Sequence, residues 1–320
     1  MANLNNIYHY TSFDKFKCIL QNGTLRFKES TQSNDLLDTK GLENALKQMK
    51  NLKSKDNEFA AFINFVIDYF KREQYKTHYT SLVSCFSLNA DSRLLWDAYT
   101  IHRPSNIECA YEKNKFCFPS NLKYNGVCIA FKKDKIKSLI NSYVRKVCDK
   151  AFLEPVNYGK GIINSRINDY LKKAALDSFK MQRTTEGQKS SLPPIYMDIF
   201  SKTYEFKLRD SLIIPALKFI FTIEERSPFY KHEFWKEEEE VRAALLIHNG
   251  NMKTYGIPQD SSGTKYFDVP ISSDCIDYII LGPEFGDEEK KEILNNDNYK
   301  LDFSNIKQMT SIGTGVIVSK

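Results

Sequence analysis

The sequence predicts an α+β domain, and two observations lead to this prediction. Short segments rich in β-branched and aromatic residues occur near the start of the chain, at its middle and in its last third, as is typical of strands. Between them lie longer stretches whose apolar residues recur at helical spacing. Because the 320 residues contain no repeat period and no long Gly-, Ser- or Pro-rich linker, we expect a single domain, residues 1–320.

The first third of the chain predicts two strands and three helices. Aromatic and β-branched residues mark the first strand, and Ser12 then begins a short helix that stops at Asn22 and Gly23. Two apolar stripes at helical spacing follow the second strand. The expected strands are residues 7–11 and 24–27, and the two later helices are residues 42–52 and 59–70.

The rest of the chain predicts a strand-rich core interrupted by helices. We expect large helical insertions at about residues 40–76 and 132–224. The expected strands are residues 81–87, 126–131, 241–247 and 278–281. The expected helices are a turn at 94–99, three stretches at 135–147, 162–179 and 195–217, and a short helix at 287–294 after Gly282 and Pro283.

The composition indicates a cytoplasmic protein with no membrane span. No segment reaches the roughly 18 uninterrupted apolar residues that a bilayer span needs. The start of the chain lacks the basic and apolar regions of a secretory signal. The seven cysteines are odd in number and never spaced as Cys-x-x-Cys, so we expect reduced thiols and no metal site.

Positive charge is concentrated in one part of the chain. The net charge is +6, and residues 132–183 alone carry +8, so the remainder is slightly acidic. A basic band of this kind suits a phosphate-rich partner such as RNA, DNA or a nucleotide. A solvated helical face is the alternative explanation.

The sequence lacks the motifs of several well-known enzyme and nucleotide-binding classes. The chain has no Gly-rich dinucleotide loop, no Walker lysine loop, no His-Glu-x-x-His helix and no Gly-x-Ser-x-Gly elbow. His232 and Glu233 begin like a metalloprotease helix, but Lys236 replaces the second histidine. A cysteine nucleophile, Cys85 with His9 or His232, stays open as a further possibility.

A run of four glutamates, residues 237–240, precedes the apolar strand at 241–247. As a solvated acidic run it carries no function. As the beginning of a buried strand it places Glu238, Glu240 and Arg242 on one face, because side chains alternate along a strand. Two neighbouring carboxylates shift each other's proton affinity. Arg242 then pairs with a carboxylate or with a phosphate.

Other polar or aromatic residues also stand at strand ends and in the turn behind one strand. Each has a structural alternative: an ordinary histidine, edge-strand hydroxyls, or a core stripe in place of a stacking surface. Their joint pattern is more specific than any one of them. These candidate residues are His9, Thr11, Ser84, Ser87, Trp96 and Tyr99.

Taken together, these residues resemble known families. The order His-x-Thr, a Ser-rich or Tyr-bearing central element and Glu-x-Glu resembles the ADP-ribosyltransferase superfamily of the diphtheria-toxin type. The chain also resembles a large bacterial family of unknown function that is distantly related to that fold. The matching stretches are YHYT at 8–11, LRF at 25–27, NDLLD at 34–38, SCFS at 84–87, LWDAY at 95–99, GVCIAF at 126–131, KHEFWKEEEEVR at 231–242 and IILGP at 279–283.

The resemblance implies a split β-sheet core that holds NAD in a cleft. It implies that Glu240 holds the nicotinamide ribose and stabilises developing positive charge there. Glu238 would accept a proton from the incoming nucleophile. His9, supported by Thr11, would bind a ribose hydroxyl. The central NAD-binding motif is either Ser84 with Ser87, or Trp96 with Tyr99 as stacking residues.

We therefore expect an NAD-dependent ADP-ribosyltransferase that acts as a bacterial toxin or antiviral defence effector. Nucleic acid (RNA or DNA) is slightly favoured over protein as the acceptor because of the basic band. An antitoxin is a possible partner. The alternatives are a nucleic-acid-binding or regulatory module without catalysis and a metal-dependent nuclease that uses the glutamate run with Lys236.

Overall fold

The structure is a computed structural model, and its description covers most of the predicted core. The described residues are 5–30, 57–70, 78–100, 124–159, 173, 177, 210–294, 299–301, 305–309 and 317–319. Of these, the backbone alone is described at 57–61, 70, 159, 210–214, 232 and 317–319.

The described chain is mixed α+β, as the sequence predicts. Its helices are α1 (Phe13–Asn22), α2 (Asn57–Phe70), α3 (Arg93–Tyr99), α4 (Lys133–Asn141), α5 (Asp210–Arg226) and α6 (Asp287–Leu294). Its first six strands are β1 (Asn6–Thr11), β2 (Thr24–Glu29), β3 (Tyr79–Ser87), β4 (Val127–Lys132), β5 (Lys150–Pro155) and β6 (Asn157–Gly159). The others are β7 (Tyr230–His232), β8 (Glu240–His248), β9 (Tyr266–Pro270), β10 (Ile276–Leu281), β11 (Ile306–Met309) and β12 (Ile317–Ser319).

Local sequence signals explain the elements that the sequence predicted correctly. Helix α1 buries Phe13, Phe16 and Leu20 at helical spacing. It ends at Gly23, whose φ of 63° is left-handed and whose N–H donates to the Ile19 carbonyl. Ser92 caps α3 by accepting from the Leu95 N–H. The predicted strands β1 to β4, β8 and β10 and the helix α6 are confirmed within one or two residues of their ends.

Three predictions differ from the structure. The helix predicted at 135–147 ends at Asn141, because the chain turns through Arg145, whose φ is 67°, to begin β5. Strands β5 and β6 lie inside the segment predicted as a helical insertion, since pairing with β8 and β7 overrides weak local preference. The helix predicted to end at Leu217 continues to Arg226. The helices predicted at 42–52 and 162–179 lie outside the described residues, apart from helical positions 173 and 177.

The main sheet consists of two halves that meet at β3. One half has the order β12-β11-β10-β4-β1, and the other joins β9, β2, β3, β8 and β5. Along its whole length β3 pairs with β8 on one edge. On the other edge β1 pairs with it at Ser87, through Tyr8, and β2 pairs with it at Leu82 and Val83. Between these two contacts, β1 and β2 diverge and leave a stretch of the β3 edge uncovered.

Apolar side chains cover both faces of the sheet beside this divergence. One core combines the inward face of both halves with α1 and α4, and it includes Phe16, Phe86 and Ile136. A second core lies on the opposite face of β1 and β4, where α3 contributes Leu95 and Trp96. Burying apolar surface stabilises the folded state by about 25 cal/mol per Å², and this free energy favours the observed packing of the two halves. The strand that carries His9 has an apolar core on both sides, and the strand that carries Glu240 contributes to the first core.

In the described residues, no helix is both long enough and apolar enough to cross a membrane.

Candidate active site

The two glutamates predicted to act together do lie together, at the beginning of β8. Glu238 ends a 3-10 helix, Glu233–Glu238, and Glu240 is the first residue of the strand. Glu239 between them has a φ of 44°, in the left-handed region. A left-handed turn, rather than strand alternation, therefore brings Glu238 beside Glu240. Both side chains are buried, whereas Glu237 and Glu239 are exposed.

A buried network of opposite charges holds this pair. Arg242 donates from Nε to Glu240 Oε1 at 2.7 Å and from Nη2 to Oε2 at 3.1 Å. Lys231 Nζ donates to Glu238 Oε2 at 2.6 Å and lies 3.3 Å from Glu240 Oε2. Arg242 also donates to the Pro228 carbonyl at 2.7 Å. The open question about Arg242 is thus answered: it binds a carboxylate of the same chain.

The network separates the proton affinities of the two carboxyl groups. Burial raises the pKa of Glu238 above its usual value, and the nearby Lys231 only partly opposes this. Burial would also raise the pKa of Glu240, but the charges of Arg242 and Lys231 outweigh it and lower that pKa. Two neighbouring carboxyl groups with pKa values shifted in opposite directions are suited to different roles, one held ionised and one exchanging protons.

Lys231 is a site residue to which sequence reasoning gave no role. It lies on β7, which pairs in parallel with β6 so that Tyr158 is opposite Lys231. The Tyr158 hydroxyl accepts from the Glu240 N–H at 2.7 Å. Tyr158 lies on β6, inside the segment that the sequence predicts as a helical insertion, so no site role was predicted for it. Lys231 carried a weak signal, a cation after an aromatic stretch and seven residues before Glu238.

Ser87 fixes the backbone of the glutamate pair. Its hydroxyl donates to the Glu238 carbonyl at 2.8 Å and accepts from the Asn89 N–H at 2.9 Å. Both hydrogen bonds lie within the protein, so Ser87 positions Glu238; it also lines the smaller cavity, and its predicted role in holding a cofactor stays a prediction. The β3–β8 register places Ser87 opposite Glu240.

His9 lies on the other side of the same site. Its Nδ1 is 2.9 Å from the Cys85 carbonyl oxygen, which can only accept, so Nδ1 carries the proton of the neutral ring. Burial lowers the pKa of His9, and the charge of Lys15 lowers it further, against the opposing effect of the Cys85 hydrogen bond. The neutral ring therefore keeps a lone pair on Nε2 for a hydroxyl donor.

Two adjoining cavities connect these groups. The smaller, of about 90 Å³, is lined by His9, Tyr99, Glu238 and Glu240 among others. The larger, of about 510 Å³, occupies the divergence between β1 and β2. His9, Tyr10, Cys85 and Tyr99 line both. An imidazole near the amino terminus and a carboxylate more than two hundred residues later thus face one space.

The remaining predicted site residues differ in burial and in whether they line a cavity. Trp96 is completely buried and packs edge-to-face on Tyr10 at 5.4 Å, so its predicted role as a stacking surface is wrong and it is a core residue. Tyr99 exposes 51% of its surface and lines both cavities, so it alone of the two can stack on a ligand. Thr11 and Ser84 are buried in the lining of the larger cavity.

Cys85 does not have the surroundings of a nucleophile. Cys85 is exposed at the cavity wall, yet loss of hydration there and the negative charge of Glu240 raise the pKa of its thiol well above the usual value, so the thiolate is disfavoured. The His9 ring contacts the Cys85 carbonyl rather than its sulfur. These two observations argue against Cys85 with His9 as a nucleophile pair; the side chain of His232 lies outside the described residues.

The left-handed turn between the glutamates leads to a stability prediction. A non-glycine residue with this φ carries a steric cost of about 1–2 kcal/mol that glycine avoids. We expect Glu239→Gly to raise the free energy of unfolding by about 0.5–1 kcal/mol after the entropy cost of glycine. Urea unfolding measures it. Glu237→Gly, in the exposed 3-10 helix before the turn, is the control and should lower stability; equal losses in both variants would contradict the prediction.

Comparison with known proteins adds a partial family match. Residues 120–243 match the model of a family described as protein of unknown function (DUF2971). The match covers less than half of the chain and includes Lys231, both glutamates and Arg242, but not His9. Searches of curated proteins and of solved structures found no significant match. The predicted resemblance to a family of unknown function is supported for this segment.

Proposed function

We propose that the chain is an NAD-dependent ADP-ribosyltransferase whose reaction takes place at the smaller cavity. The observation that carries the proposal is the shared lining of that cavity: His9, Tyr99, Glu238 and Glu240. The opposite pKa shifts of the two carboxyl groups strengthen it, because the reaction needs one stabilising anion and one proton acceptor.

The residues present fit a dinucleotide. The two adjoining cavities together have about 600 Å³, within the roughly 300–1,000 Å³ of small-ligand sites. Tyr99 offers an aromatic surface at their junction, and His9 offers a hydrogen-bond acceptor. Ser84 contributes a hydroxyl that is almost fully buried and has no hydrogen-bond partner among the described residues. A buried polar group in that state is one that a ligand can satisfy.

The chemistry assigns a role to each group. NAD supplies a glycosidic bond between nicotinamide and ribose whose cleavage develops positive charge on the sugar. Glu240, held ionised by Arg242 and Lys231, stabilises positive charge electrostatically. Glu238 accepts the proton of the acceptor nucleophile. His9 accepts a hydrogen bond from a ribose hydroxyl, and Tyr99 packs on a flat ring.

The alternative of a metal-dependent nuclease is less compatible with these contacts. A divalent cation needs carboxylate oxygens free to coordinate it. Arg242 and Lys231 already occupy the oxygens of Glu240, and Lys231 also holds Glu238. Lys236, which that alternative invoked, is exposed and lies 3.9 Å from Glu237. Of the acceptor classes, nucleic acid keeps its slight preference because of the basic band at 132–183.

The raised pKa of Glu238 predicts the pH dependence of the reaction. Proton acceptance requires the ionised carboxylate, so the rate of nicotinamide release should rise with pH through a midpoint above the ordinary value of 4.5. Glu238→Gln should remove that rise and reduce the rate by about 10²–10⁴-fold. Initial rates measured across the acidic range test this. A midpoint at or below 4.5 would contradict the role of Glu238.

The first experiment combines two readouts on the full chain. Purified protein is incubated with NAD, and nicotinamide release is followed by liquid chromatography. In parallel, RNA, DNA and protein from cells that express the chain are analysed by mass spectrometry for an added ADP-ribose. Release together with a modified acceptor supports transfer, and release without one indicates NAD hydrolysis alone. Salt-sensitive nucleic-acid binding with no release in any condition favours the non-catalytic module.

A further inference from the structure

The larger cavity has positively charged walls outside the site described so far. Helix α1 contributes one face, with Lys15, Cys18, Ile19 and Asn22 at helical spacing. Strand β2 contributes alternate residues, Thr24, Arg26 and Lys28. The opposite wall is the uncovered edge of β3. Three cations against one carboxylate, that of Asp268, give this lining a net charge of +2 with His9 neutral.

The three cations are not equivalent. Arg26 forms two hydrogen bonds of 2.7 Å with Asp268 and lies over the Tyr266 ring at 4.4 Å, so its charge is already compensated. Lys15 and Lys28 are exposed on the cavity wall, and neither forms an ion pair with a carboxylate in the described part of the chain. The charge of Lys15 reaches the cavity, because it lowers the pKa of His9.

A second, independent feature of this cavity indicates a ligand. Ser84, 4% exposed, lines the cavity with a hydroxyl that lacks a hydrogen-bond partner among the described residues. Lys15 and Lys28, which form no ion pair among the described residues, and the unsatisfied hydroxyl are the kind of donors from which a phosphate group accepts hydrogen bonds; Asp260 is the carboxylate nearest in effect to Lys28. Lysine binds phosphate as a point charge and does not require the paired geometry that arginine gives.

We propose that Lys15 and Lys28 form a phosphate-binding subsite in the larger cavity, which takes the pyrophosphate of a dinucleotide. This subsite deepens the proposed function and rests on it for the identity of the ligand. The smaller cavity, with its two carboxylates and Tyr99, then takes the nicotinamide end of the ligand, whose ring carries a positive charge.

Calorimetric titration of the full chain with ADP-ribose tests the subsite. Lys15→Gln and Lys28→Gln should each weaken ADP-ribose binding by about tenfold, the loss expected for one charged hydrogen bond. Both should also reduce the salt dependence of binding. The affinity for nicotinamide, which has no phosphate, should not change. Exposed lysines can be replaced without loss of folding, so the variants remain comparable.

Lys17→Gln is the matched control. It lies on the same helix, pairs with Asp14 at 3.5 Å and Glu292 at 3.3 Å, and does not line the cavity. If Lys15→Gln and Lys28→Gln bind ADP-ribose as Lys17→Gln does, or if the unaltered chain does not bind it, the subsite is refuted. Lysine-dependent binding without nicotinamide release supports the subsite and refutes the enzymatic proposal. Nicotinamide release that is unchanged in Lys15→Gln and Lys28→Gln supports the enzymatic proposal and refutes the subsite.

Discussion

Replacing Glu240 with glutamine is expected to reduce nicotinamide release from NAD by at least about a hundredfold, the loss typical when one electrostatic stabiliser is removed. Glutamine has the same shape and still accepts from Arg242, but it carries no charge. The carboxylate is 5% exposed and its pKa is lowered by two cations, so it is ionised at neutral pH in the unaltered chain. Single-turnover rates at saturating NAD measure the effect.

Glu237→Gln is the matched control, because this glutamate belongs to the same run and is exposed. It should keep the full rate. Thermal unfolding of both variants shows whether the fold is intact; if Glu240→Gln does not fold, Glu238→Gln tests the same cavity. A folded Glu240→Gln variant with more than about a tenth of the original rate removes Glu240 from the mechanism.

Lys231→Met is expected to lower the free energy of unfolding by about 3–5 kcal/mol, because it removes one partner of a buried ion-pair network. Lys231 is 7% exposed and lies between Glu238 and Glu240, so its loss leaves two buried carboxylates to share Arg242. Methionine retains most of the volume, so the change isolates the charge. Urea unfolding at constant pH measures the difference.

The pH dependence of that loss separates charge from packing. Without Lys231 the pKa values of both carboxyl groups rise in the folded state, so stability lost at neutral pH returns as the pH falls and the carboxyl groups take up protons. In the unaltered chain Glu240 behaves differently, because its lowered pKa contributes stability that is lost as the pH falls through that value. Lys236→Met, at an exposed lysine nearby, should have no comparable effect. A pH-independent loss in Lys231→Met would point to packing alone.

The elements predicted from the sequence are those whose signal is local. Helix α1 combines an apolar stripe with a glycine at its end, and β4 is a continuous apolar run that pairs with β1 and β10 on its two edges. Strand β5 has no such signal, because Lys150 and Glu154 flank only three apolar residues and pairing with β8 makes this segment a strand.

The sequence predicted those residues of the candidate site that have a local signal, and missed the others. His9 lies within β1, and Glu238 and Glu240 stand just before and at the beginning of β8, where polar residues next to apolar runs are visible in the sequence. Lys231 and Tyr158 belong to it through a parallel pair of short strands that sequence periodicity does not reveal. Trp96 and Tyr99 occur three residues apart, and only the packing of α3 on Tyr10 decides which of them is buried. Spacing alone cannot make that distinction.

A crystal structure of the Glu240→Gln variant soaked with NAD tests the shared site most directly, since the slow variant leaves the dinucleotide intact. The nicotinamide ring is expected in the smaller cavity, against Tyr99 and beside Glu238, with the pyrophosphate near Lys15 and Lys28. NAD bound at any other surface, or no NAD in crystals of a variant whose parent releases nicotinamide, would contradict the assignment of this cavity.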